Sequence, residues 1–349
     1  MTYHLSKSDH NCRSDGVYKN RLRVIYIRIQ PVGMYSALRK SKLIIDNDAG
    51  GDDAVAIFLA LLYEKHFNGS QLLALTTVHG NTIESNVCIN DQRILKVAKR
   101  QNIPIFRGAK ESLLKDFVRG NYYGDDGLGD SGEQLINLLP AQEKNAVSAL
   151  IDLTKTHPGE ITVITLGPLT NIALAIRLDP EFISRLAHLY IGAGHIHDGA
   201  NPDPEFNARM DPEAYHIVLE NVNPDKITLL PFSQVKKDLD FSKGWRQQVL
   251  GTIDNDVVKA INKYEQVSMK KNERWRALDP AVIAIAINPD IVDEYTYSRN
   301  KIILNGEKRG ISTNDYVEKD KANVRIATNL NKEQYRQFII NNSYKVSNS

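Results

Sequence analysis

The stretch LIIDNDAGGDDAVAIFLALL, residues 43–62, decides the fold of this protein. Its first residues, 43–45, are a short apolar run of the buried-strand type, and residues 54–62 are typical of a buried helix. The turn between strand and helix carries two glycines and four aspartates: Asp46, Asp48, Asp52 and Asp53. A strand that feeds a helix through a short polar turn is the first unit of an α/β fold.

The alternation of strand and helix continues along the chain. Further strands are predicted at 72–78, 103–106, 161–166, 189–191 and 227–230, and further helices at 84–100, 146–155, 169–177, 211–220 and 280–287. We therefore predict an α/β fold in a single domain, residues 43–340, with an open, mostly parallel sheet and helices on both of its faces. In such a sheet, ligands bind at the carboxyl ends of the strands.

The C-terminal region carries a hairpin signal. Two strands, 295–304 and 323–327, are predicted to flank the turn dipeptide Asn305-Gly306. The last helix is predicted to end near Ile340, which leaves residues 341–349 as a polar tail.

Composition bounds the class of protein. With 349 residues, 42% hydrophobic and 25% charged, the chain is typical of globular proteins, and its net charge of +2 gives no reason to expect a nucleic-acid partner. No apolar stretch is long enough to span a bilayer, so no membrane partner is expected. Two cysteines, Cys12 and Cys88, make no disulfide framework, which favours a cytoplasmic location. Residues 1–42 are rich in Lys and Arg and lack a sustained period, so we predict a basic, disordered N-terminal extension.

The four aspartates call for a cation. Helix capping explains one or two of them. The others would repel one another by on the order of 4 kcal/mol for each pair about 4 Å apart at an effective dielectric of 20, unless protons or a cation neutralise them. All-oxygen ligands select a hard cation, Ca²⁺ or Mg²⁺. Gly50 occupies the third ligand position of an EF-hand, and the Thr/Val position of the aspartate-nucleophile phosphatase loop, so the segment fits neither motif well.

The segment Asp46 to Ala54 resembles the Asp-x-Asp-x-Gly-x-Asp-Asp-Ala signature of the inosine-uridine preferring nucleoside hydrolases. Further segments resemble the family in the same order: Gly80-Asn81, Gly167-Pro168-Leu169-Thr170-Asn171, Glu205-Phe206-Asn207 with Asp211-Pro212-Glu213-Ala214, and Asp279-Pro280 with Ala284. The resemblance covers about residues 43–340. It implies a Rossmann-like nucleoside hydrolase fold and Ca²⁺-dependent cleavage of ribonucleosides into ribose and free base.

The resemblance also implies roles for individual residues. The Ca²⁺ ligands would be Asp48, Asp53, the backbone carbonyl of Leu166, and Asp279. Asp48 would also be the base that activates the attacking water, because Ca²⁺ lowers the pKa of a bound water less than zinc does. The ribose ligands would be Asp52, Asn81, Glu205, Asn207 and Asn201.

Simpler interpretations stand beside several of these roles. Asn81 follows Gly80 and is also typical of a turn. Glu205 and Asn207 fall in a polar, proline-containing segment that could be an exposed loop. We interpret Asp211 as a helix cap and Asn171 as a structural residue.

The sequence departs from the family on the side of the leaving base. Many relatives have a histidine where this chain has Leu278, and a second one where it has Tyr123. The segment before Glu205, Gly199-Ala200-Asn201-Pro202, is about two residues shorter than expected. The replacement candidates for the missing proton donor are Tyr122, Tyr123, His195 and His197, and Trp275 could stack on a base.

Three functions remain open on the sequence. The first is a ribonucleoside hydrolase; the second is a homologue that binds ribose or nucleoside with weakened catalysis; the third is a Mg²⁺-dependent phosphatase. The expected partner is a small-molecule nucleoside, and the resemblance implies a homo-oligomer, a dimer or a tetramer.

Overall fold

The computed structural model describes residues 41–114, 120–132, 136–197, 202–220 and 222–344. Its strands, in chain order, are β1 (Lys42–Asn47), β2 (Gln71–Thr77), β3 (Ile105–Phe106), β4 (Ile161–Thr165), β5 (His188–Gly192), β6 (Ile227–Leu230), β7 (Phe241–Ser242), β8 (Arg274–Trp275), β9 (Val292–Ile302), β10 (Ser312–Tyr316) and β11 (Val324–Leu330).

The α-helices follow the strands in alternation over the first two thirds of the chain. They are α1 (Gly51–Phe67), α2 (Glu84–Val97), α3 (Ala146–Thr156), α4 (Thr170–Leu178), α5 (Phe206–Met210), α6 (Pro212–Leu219), α7 (Phe232–Asp238), α8 (Lys243–Trp245), α9 (Asp256–Tyr264), α10 (Gln266–Lys271), α11 (Leu278–Ile287) and α12 (Lys332–Tyr344). A π-helical turn, Arg246–Leu250, extends α8, and two 3₁₀ turns occur at Pro289–Ile291 and Lys319–Lys321. None of the described helices is both long enough and apolar enough to cross a membrane.

One nine-stranded sheet has the order β10-β9-β11-β6-β5-β4-β1-β2-β3. Seven neighbouring strands of this sheet are parallel: β11, β6, β5, β4, β1, β2 and β3. Strand β9 runs antiparallel to both of its neighbours, β11 and β10. The predicted α/β fold with a mostly parallel sheet is therefore confirmed. Because the chain leaves β1 toward β2 on one side and later returns to β4 on the other, a crevice opens at the carboxyl ends of β1 and β4.

The sheet carries a hydrophobic core on each face. Leu43 and Ile45 of β1 pack into a core with α1, α2, α9, α11 and α12. Ile44, which points to the opposite face, packs into a second core with α3, α4 and α6. This alternation within one strand places helices on both faces, as predicted.

Helix α1 lies in the centre of the first core and begins at the aspartate-rich turn. Its residues from Gly51 to Leu62 are buried, because α1 packs against α11 and α12 as well as against the sheet. The helix ends at Asn68, whose φ of 52° is the left-handed conformation that stops a helix. The deep burial of α1 fixes the position of the turn that precedes it.

Two predictions near the C-terminus are wrong. The turn at Gly306 (φ 72°) is present, but the strand that follows it is β10, and the predicted strand 323–327 forms part of β11, farther along the chain. β10 was missed because it is a polar edge strand, with exposed side chains at Thr313, Asp315 and Tyr316.

Helix α12 continues to Tyr344 instead of ending near Ile340. Asn342 and Ser343 are buried, and Asn255 Nδ2 donates to the carbonyl oxygen of Ser343 at 3.0 Å. Tertiary contacts therefore hold polar residues that the sequence pattern had assigned to the tail. The rest of the tail, residues 345–349, and nearly all of the predicted basic extension lie outside the described residues.

Candidate functional site

The aspartate-rich turn lies at the crevice between β1 and β4. Two glycines from neighbouring loops make room for Asp48 there. A Cβ atom on Gly80 would lie 1.8 Å from Asp48 Oδ2, and one on Gly167 would lie 3.1 Å from Asp48 Cβ. The glycines of the two matching sequence segments are therefore required by the close approach of three loops.

Asn81 holds the carboxylate of Asp48. The backbone N–H of Asn81 donates to Asp48 Oδ2 at 2.7 Å, and Asn81 Nδ2 donates to Asp48 Oδ1 at 3.1 Å. The same Nδ2 lies 3.4 Å from Asp53 Oδ2. Asn81 thus contacts the acidic site through its side chain, which a simple turn residue would not need to do.

Asp53 serves both the helix and the site. Its Oδ2 accepts from the Gly50 N–H at 2.8 Å, and its Oδ1 accepts from the Asp48 N–H at 3.2 Å. These bonds satisfy free N–H groups at the start of α1. Capping and site chemistry, which were alternatives on the sequence, are here combined in one side chain.

The carboxylates of Asp52, Asp53 and Asp279 form one acidic group. Each contributes an oxygen, and these oxygens lie within 4.8 Å of one another. Helix α11, which packs on α1, brings Asp279 from the far end of the sequence. All three side chains are buried.

The acidic group continues as a chain of contacts. Asp53 hydrogen-bonds the side chains of Asp48 and Asp279, and Asp279 hydrogen-bonds that of Asp52. Two carboxyl groups form such a bond only if a proton lies between them. Burial, with repulsion from the neighbouring carboxylates, raises the pKa of Asp48 and Asp279 well above the ordinary range and that of Asp52 to about 7.

A buried cluster of carboxyl oxygens of this kind fits a hard cation. A divalent ion would replace the shared protons and neutralise the repulsion that raises these pKa values. The oxygen-only donor set favours Ca²⁺ or Mg²⁺ over softer metals. The described residues thus offer an acidic cluster able to hold a metal ion.

The predicted ligands from β4 and α5 lie beside this group. Leu166 follows β4, and its carbonyl oxygen accepts from Asn207 Nδ2 at 2.7 Å. The same Nδ2 lies 2.9 Å from the carbonyl oxygen of Gly192, so Asn207 joins the ends of β4 and β5. Asn207 is only 7% exposed.

Glu205 caps helix α5. Its carboxylate accepts from the N–H groups of Gly194, Asn207 and Ala208, at 2.8, 3.0 and 3.0 Å. Burial raises the pKa of Glu205, while these three donors lower it. Since Glu205 and Asn207 are both buried, their interpretation as an exposed loop is wrong.

A cavity of about 400 Å³ opens beside these residues. Its lining includes six predicted site residues, all buried except the half-buried Asn81: Asp52, Asn81, Leu166, Glu205, Asn207 and Asp279. We call this buried part of the lining the inner end, and the part with exposed side chains the outer end. The rest of the lining consists of Tyr122, Tyr123, Phe206, Phe232, Lys236, Asn272, Glu273, Arg274, Arg276 and Leu278. Three cations of this wall, Lys236, Arg274 and Arg276, were not among the predicted site residues. A signal was available for the two arginines, because they lie within five residues before the predicted ligand Asp279.

Tyr122 and Tyr123 occupy different parts of the wall. The buried Tyr123 hydrogen-bonds Asp52 and lowers the pKa of that carboxyl against the effect of burial. Tyr122 is 45% exposed, packs edge-on against Tyr123 and hydrogen-bonds the side chain of Asn272. The partial burial of Tyr122 raises its pKa to about 12, and the full burial of Tyr123 raises its pKa well above the ordinary value. Both hydroxyls therefore keep their protons at neutral pH.

His195, His197 and Trp275 are not among the residues that line the cavity. His195 stacks on Phe232, and burial lowers its pKa to about 4, so its ring is neutral at pH 7. His197 packs edge-on against His195. Trp275 is buried, and its Nε1 donates to Glu265 Oε1 at 2.7 Å. Stacking of Trp275 on a ligand would require its ring to leave this packing. Asn201 lies outside the described residues.

Two residues that the sequence analysis assigned to structure are confirmed in that role. Asp211 Oδ1 accepts from the Ala214 N–H at 3.1 Å and caps α6. Asn171 Nδ2 donates to Asp46 Oδ1 at 2.8 Å and to the carbonyl oxygen of Thr77 at 2.9 Å. Asp46, the first aspartate of the turn, is thereby used to join β1, β2 and α4.

Comparison with known proteins finds relatives of this chain. The sequence profile of the inosine-uridine preferring nucleoside hydrolases matches residues 43–337. A probable uridine nucleosidase 2 of Arabidopsis thaliana is 38% identical over 188 residues, which cover 51% of this chain and 56% of that relative. An inosine-uridine preferring nucleoside hydrolase of Leishmania major is 33% identical over 258 residues, covering 72% of this chain and 80% of that protein.

A solved structure has the same fold. It is that of a plant nucleoside hydrolase, which is 26% identical and superposes with a TM-score of 0.76 over 88% of this chain and 99% of its own.

Proposed function

This chain belongs to the inosine-uridine preferring nucleoside hydrolases, a family of N-glycosyl hydrolases, and on that premise we propose that it hydrolyses ribonucleosides to ribose and free base with Ca²⁺ as cofactor. The observation that carries the proposal is the buried group of Asp52, Asp53 and Asp279 at the inner end of a cavity large enough for a small ligand.

The Ca²⁺ ligands in this proposal are Asp48, Asp53, Asp279 and the carbonyl oxygen of Leu166. The contact between the side chains of Asp48 and Asp53, and that between Asp53 and Asp279, support this set. When bound, the ion polarises a water and orients the ribose hydroxyls. Asp52 belongs to the same carboxylate group but lines the cavity, which suits its proposed role as a ribose ligand.

Asp48 is the proposed general base. A carboxylate can accept the proton of the attacking water. The two hydrogen bonds from Asn81 hold that carboxylate in one orientation. The proton leaves the attacking water as its oxygen bonds to C1′ of the ribose and the bond from C1′ to the base nitrogen breaks.

The remaining acidic residues stabilise the sugar during this step. Cleavage of an N-glycosidic bond develops positive charge on the ribose. Asp52 and Glu205, at the inner end of the cavity, lower the energy of that charge. Asn81 and Asn207 line the same end and can hydrogen-bond ribose hydroxyls.

The leaving base faces the outer part of the cavity. Of the four candidate proton donors, Tyr122 and Tyr123 line the cavity, and we propose that one of them hydrogen-bonds the departing base. Tyr122, which is 45% exposed, suits this better than the buried Tyr123, whose hydroxyl is bonded to Asp52. Leu278 adds an apolar wall where many relatives have a proton donor.

One assay tests the function. The purified protein is incubated with a ribonucleoside panel and with nucleotides, with and without a calcium chelator, and the free base and phosphate are separated by chromatography. We expect release of base that chelation abolishes and added Ca²⁺ restores. Binding of nucleoside without turnover would favour the weakened homologue, and release of phosphate would favour the phosphatase.

A pair of variants tests the role of Asp48 as general base. Asp48→Asn should lower kcat by about 10²- to 10⁴-fold, because the amide cannot accept the proton of the water. Asp225→Asn removes a surface partner of Lys319 and should leave kcat unchanged. Full activity of Asp48→Asn would contradict the proposed role of Asp48.

We propose that the protein is a homo-oligomer, a dimer or a tetramer, as the family resemblance implies. Light scattering of the purified chain tests this directly. A monomeric mass at the concentration of the assay would contradict it.

A further inference from the structure

Two arginines in the outer wall of the cavity share a single carboxylate. Arg274 Nε and Arg276 Nε each lie 2.8 Å from Asp240 Oδ1. Arg276 makes a second bond, from Nη2 to Asp240 Oδ2 at 3.1 Å, and Arg274 Nη2 donates to the backbone carbonyl of Asp240 at 3.2 Å. Arg274 and Arg276 both line the cavity, whereas Asp240 does not.

The neighbouring charges leave this end of the cavity positive. Lys236 also lines it and lies over the ring of Phe232, 4.8 Å from the centroid. The one anion of the outer wall, Glu273, is 85% exposed and is paired with Lys243 at 3.2 Å. Asp240 therefore neutralises one of two guanidinium charges, and Lys236 adds a third cation.

The two ends of the cavity thus have opposite charge. The buried lining carries Asp52, Glu205 and Asp279, and the exposed lining carries Lys236, Arg274 and Arg276. Among the described residues, neither Arg274 nor Arg276 forms a hydrogen bond through its Nη1 group, so donors remain for a ligand. A guanidinium group with free N–H donors is suited to a planar carboxylate or to an ionised ring.

This inference rests on the proposed function, which places the ribose among the aspartates and the base toward the arginines. We propose that Arg274 and Arg276 make the enzyme selective for ribonucleosides whose base carries a negative charge, such as a ring carboxylate or an ionised oxo-purine. The same two groups stabilise the negative charge that a base gains when its bond to the ribose breaks. This contribution needs no proton donor and suits a site in which Leu278 and Tyr123 stand where many relatives have histidines.

A matched substrate pair tests the selectivity. 5-Carboxyuridine and 5-carbamoyluridine have nearly the same shape, and only the first carries a negative charge on its base. We expect kcat/KM to favour the carboxylate by about tenfold, the size expected for a partly solvated charge pair. For purines, the ratio of kcat/KM for xanthosine to kcat/KM for inosine should increase as the pH rises through the pKa of the xanthine ring.

Variants assign the selectivity to the two arginines. In the double variant Arg274→Gln/Arg276→Gln, the ratio of the two kcat/KM values should fall to about one. Arg336→Gln, which removes an exposed arginine of α12 paired with Glu333, should leave the ratio unchanged. Circular dichroism and the thermal midpoint show whether the double variant is folded. Should it fail to fold, Arg276→Gln alone is expected to reduce the ratio.

The outcomes separate this inference from the proposed function. If uridine is hydrolysed and the two modified uridines react equally, the inference is overturned and the proposed function stands. If no nucleoside is hydrolysed, the proposed function fails. Calorimetry with 5-carboxyuracil and 5-carbamoyluracil then still tests whether the two arginines select a charged base, and equal affinity for the two compounds overturns the inference. A preference for uridine 5′-monophosphate over uridine that is lost in the double variant also overturns it, because the recognised charge would then lie on the sugar side.

Discussion

At the scale of single residues, Asp53 connects the start of helix α1 to the acidic group of the site. Its carboxylate accepts from the N–H groups of Gly50 and Asp48, and it also belongs to the acidic group with Asp52 and Asp279. The sequence pattern predicted that capping could not explain all four aspartates. It could not say that one side chain would do both tasks, because that depends on where Asp279 lies.

The proposed division of roles between Asp52 and Asp53 is testable. We predict that Asp53→Asn weakens Ca²⁺ binding by about a hundredfold or more, because it removes an anionic ligand. Asp52→Asn should raise KM for the nucleoside and change Ca²⁺ affinity much less. Calcium titration by calorimetry and steady-state kinetics measure the two effects. Equal losses of Ca²⁺ affinity in both variants would make Asp52 a metal ligand and contradict its role toward ribose.

A second prediction concerns the two adjacent tyrosines. The Tyr123 hydroxyl lowers the pKa of Asp52, so Tyr123→Phe should raise that pKa, because the ionised carboxylate loses a hydrogen bond. The acidic limb of the pH profile of kcat/KM should therefore move to higher pH. Tyr122→Phe removes a neighbouring hydroxyl that is bonded to Asn272. In its proposed role toward the leaving base it should lower kcat/KM without moving this limb. The same shift in both variants would show that the contact with Asp52 is not its cause.

At the scale of secondary-structure elements, the short helix α5 sets the geometry of the inner cavity wall. Glu205 holds its first turn through three backbone N–H groups, and Asn207 on that turn joins the ends of β4 and β5. The sequence contained both residues in a family motif. Their burial was not predictable, because a polar, proline-containing segment has no period that reports burial.

The cap of α5 leads to a third prediction. Glu205→Ala should lower the free energy of unfolding by about 2 kcal/mol, because three buried N–H groups lose their acceptor. It should also raise KM, since Asn207 loses its fixed position. Urea unfolding and kinetics measure both effects. Glu220→Ala, at the exposed C-terminal end of α6, should change neither by a comparable amount; unfolding curves that coincide for Glu205→Ala and wild type would refute the capping role.

The polar edge strand β10 shows a different limit of the sequence analysis. Its pairing partner β9 supplies the hydrogen bonds, with Asn314 opposite Asn300 and Tyr316 opposite Ser298. Residues of this kind have no apolar alternation, so only the presence of β9 beside them makes them a strand.

At the scale of the whole molecule, acidic side chains from distant parts of the chain, Asp52, Asp53 and Asp279, lie together at the crevice between β1 and β4. Burial raises the pKa of Asp52 from 3.8 to about 7. Between these values the folded metal-free protein holds a proton that the unfolded chain has released. The contribution of Asp52 to the free energy of unfolding is therefore fully present below pH 4 and is lost as the pH rises toward 7.

The fourth prediction follows from this titration. The chelated protein should lose on the order of 4 kcal/mol of unfolding free energy between pH 4 and pH 7 from Asp52 alone. Calcium should remove this loss, because it replaces the protons and binds only the folded state. Urea unfolding at several pH values, with chelator and with Ca²⁺, measures both. A chelated protein whose stability rises with pH over this range would contradict the shared-proton arrangement of the acidic group.

The sequence by itself determined the α/β fold, the order of its central strands and helices, and the family of the aspartate-rich signature. It could do so because apolar periodicity reports burial locally and the signature is contiguous. The family resemblance also implied that Asp279 and Asp53 meet at one ion. Only the tertiary structure decided that Asp52 joins their carboxyl group, that Tyr123 bonds Asp52, and that three cations line the outer cavity. These residues are polar and far apart along the chain. Their proximity arises where strand ends, α11 and the loops converge, and no local pattern encodes that distance.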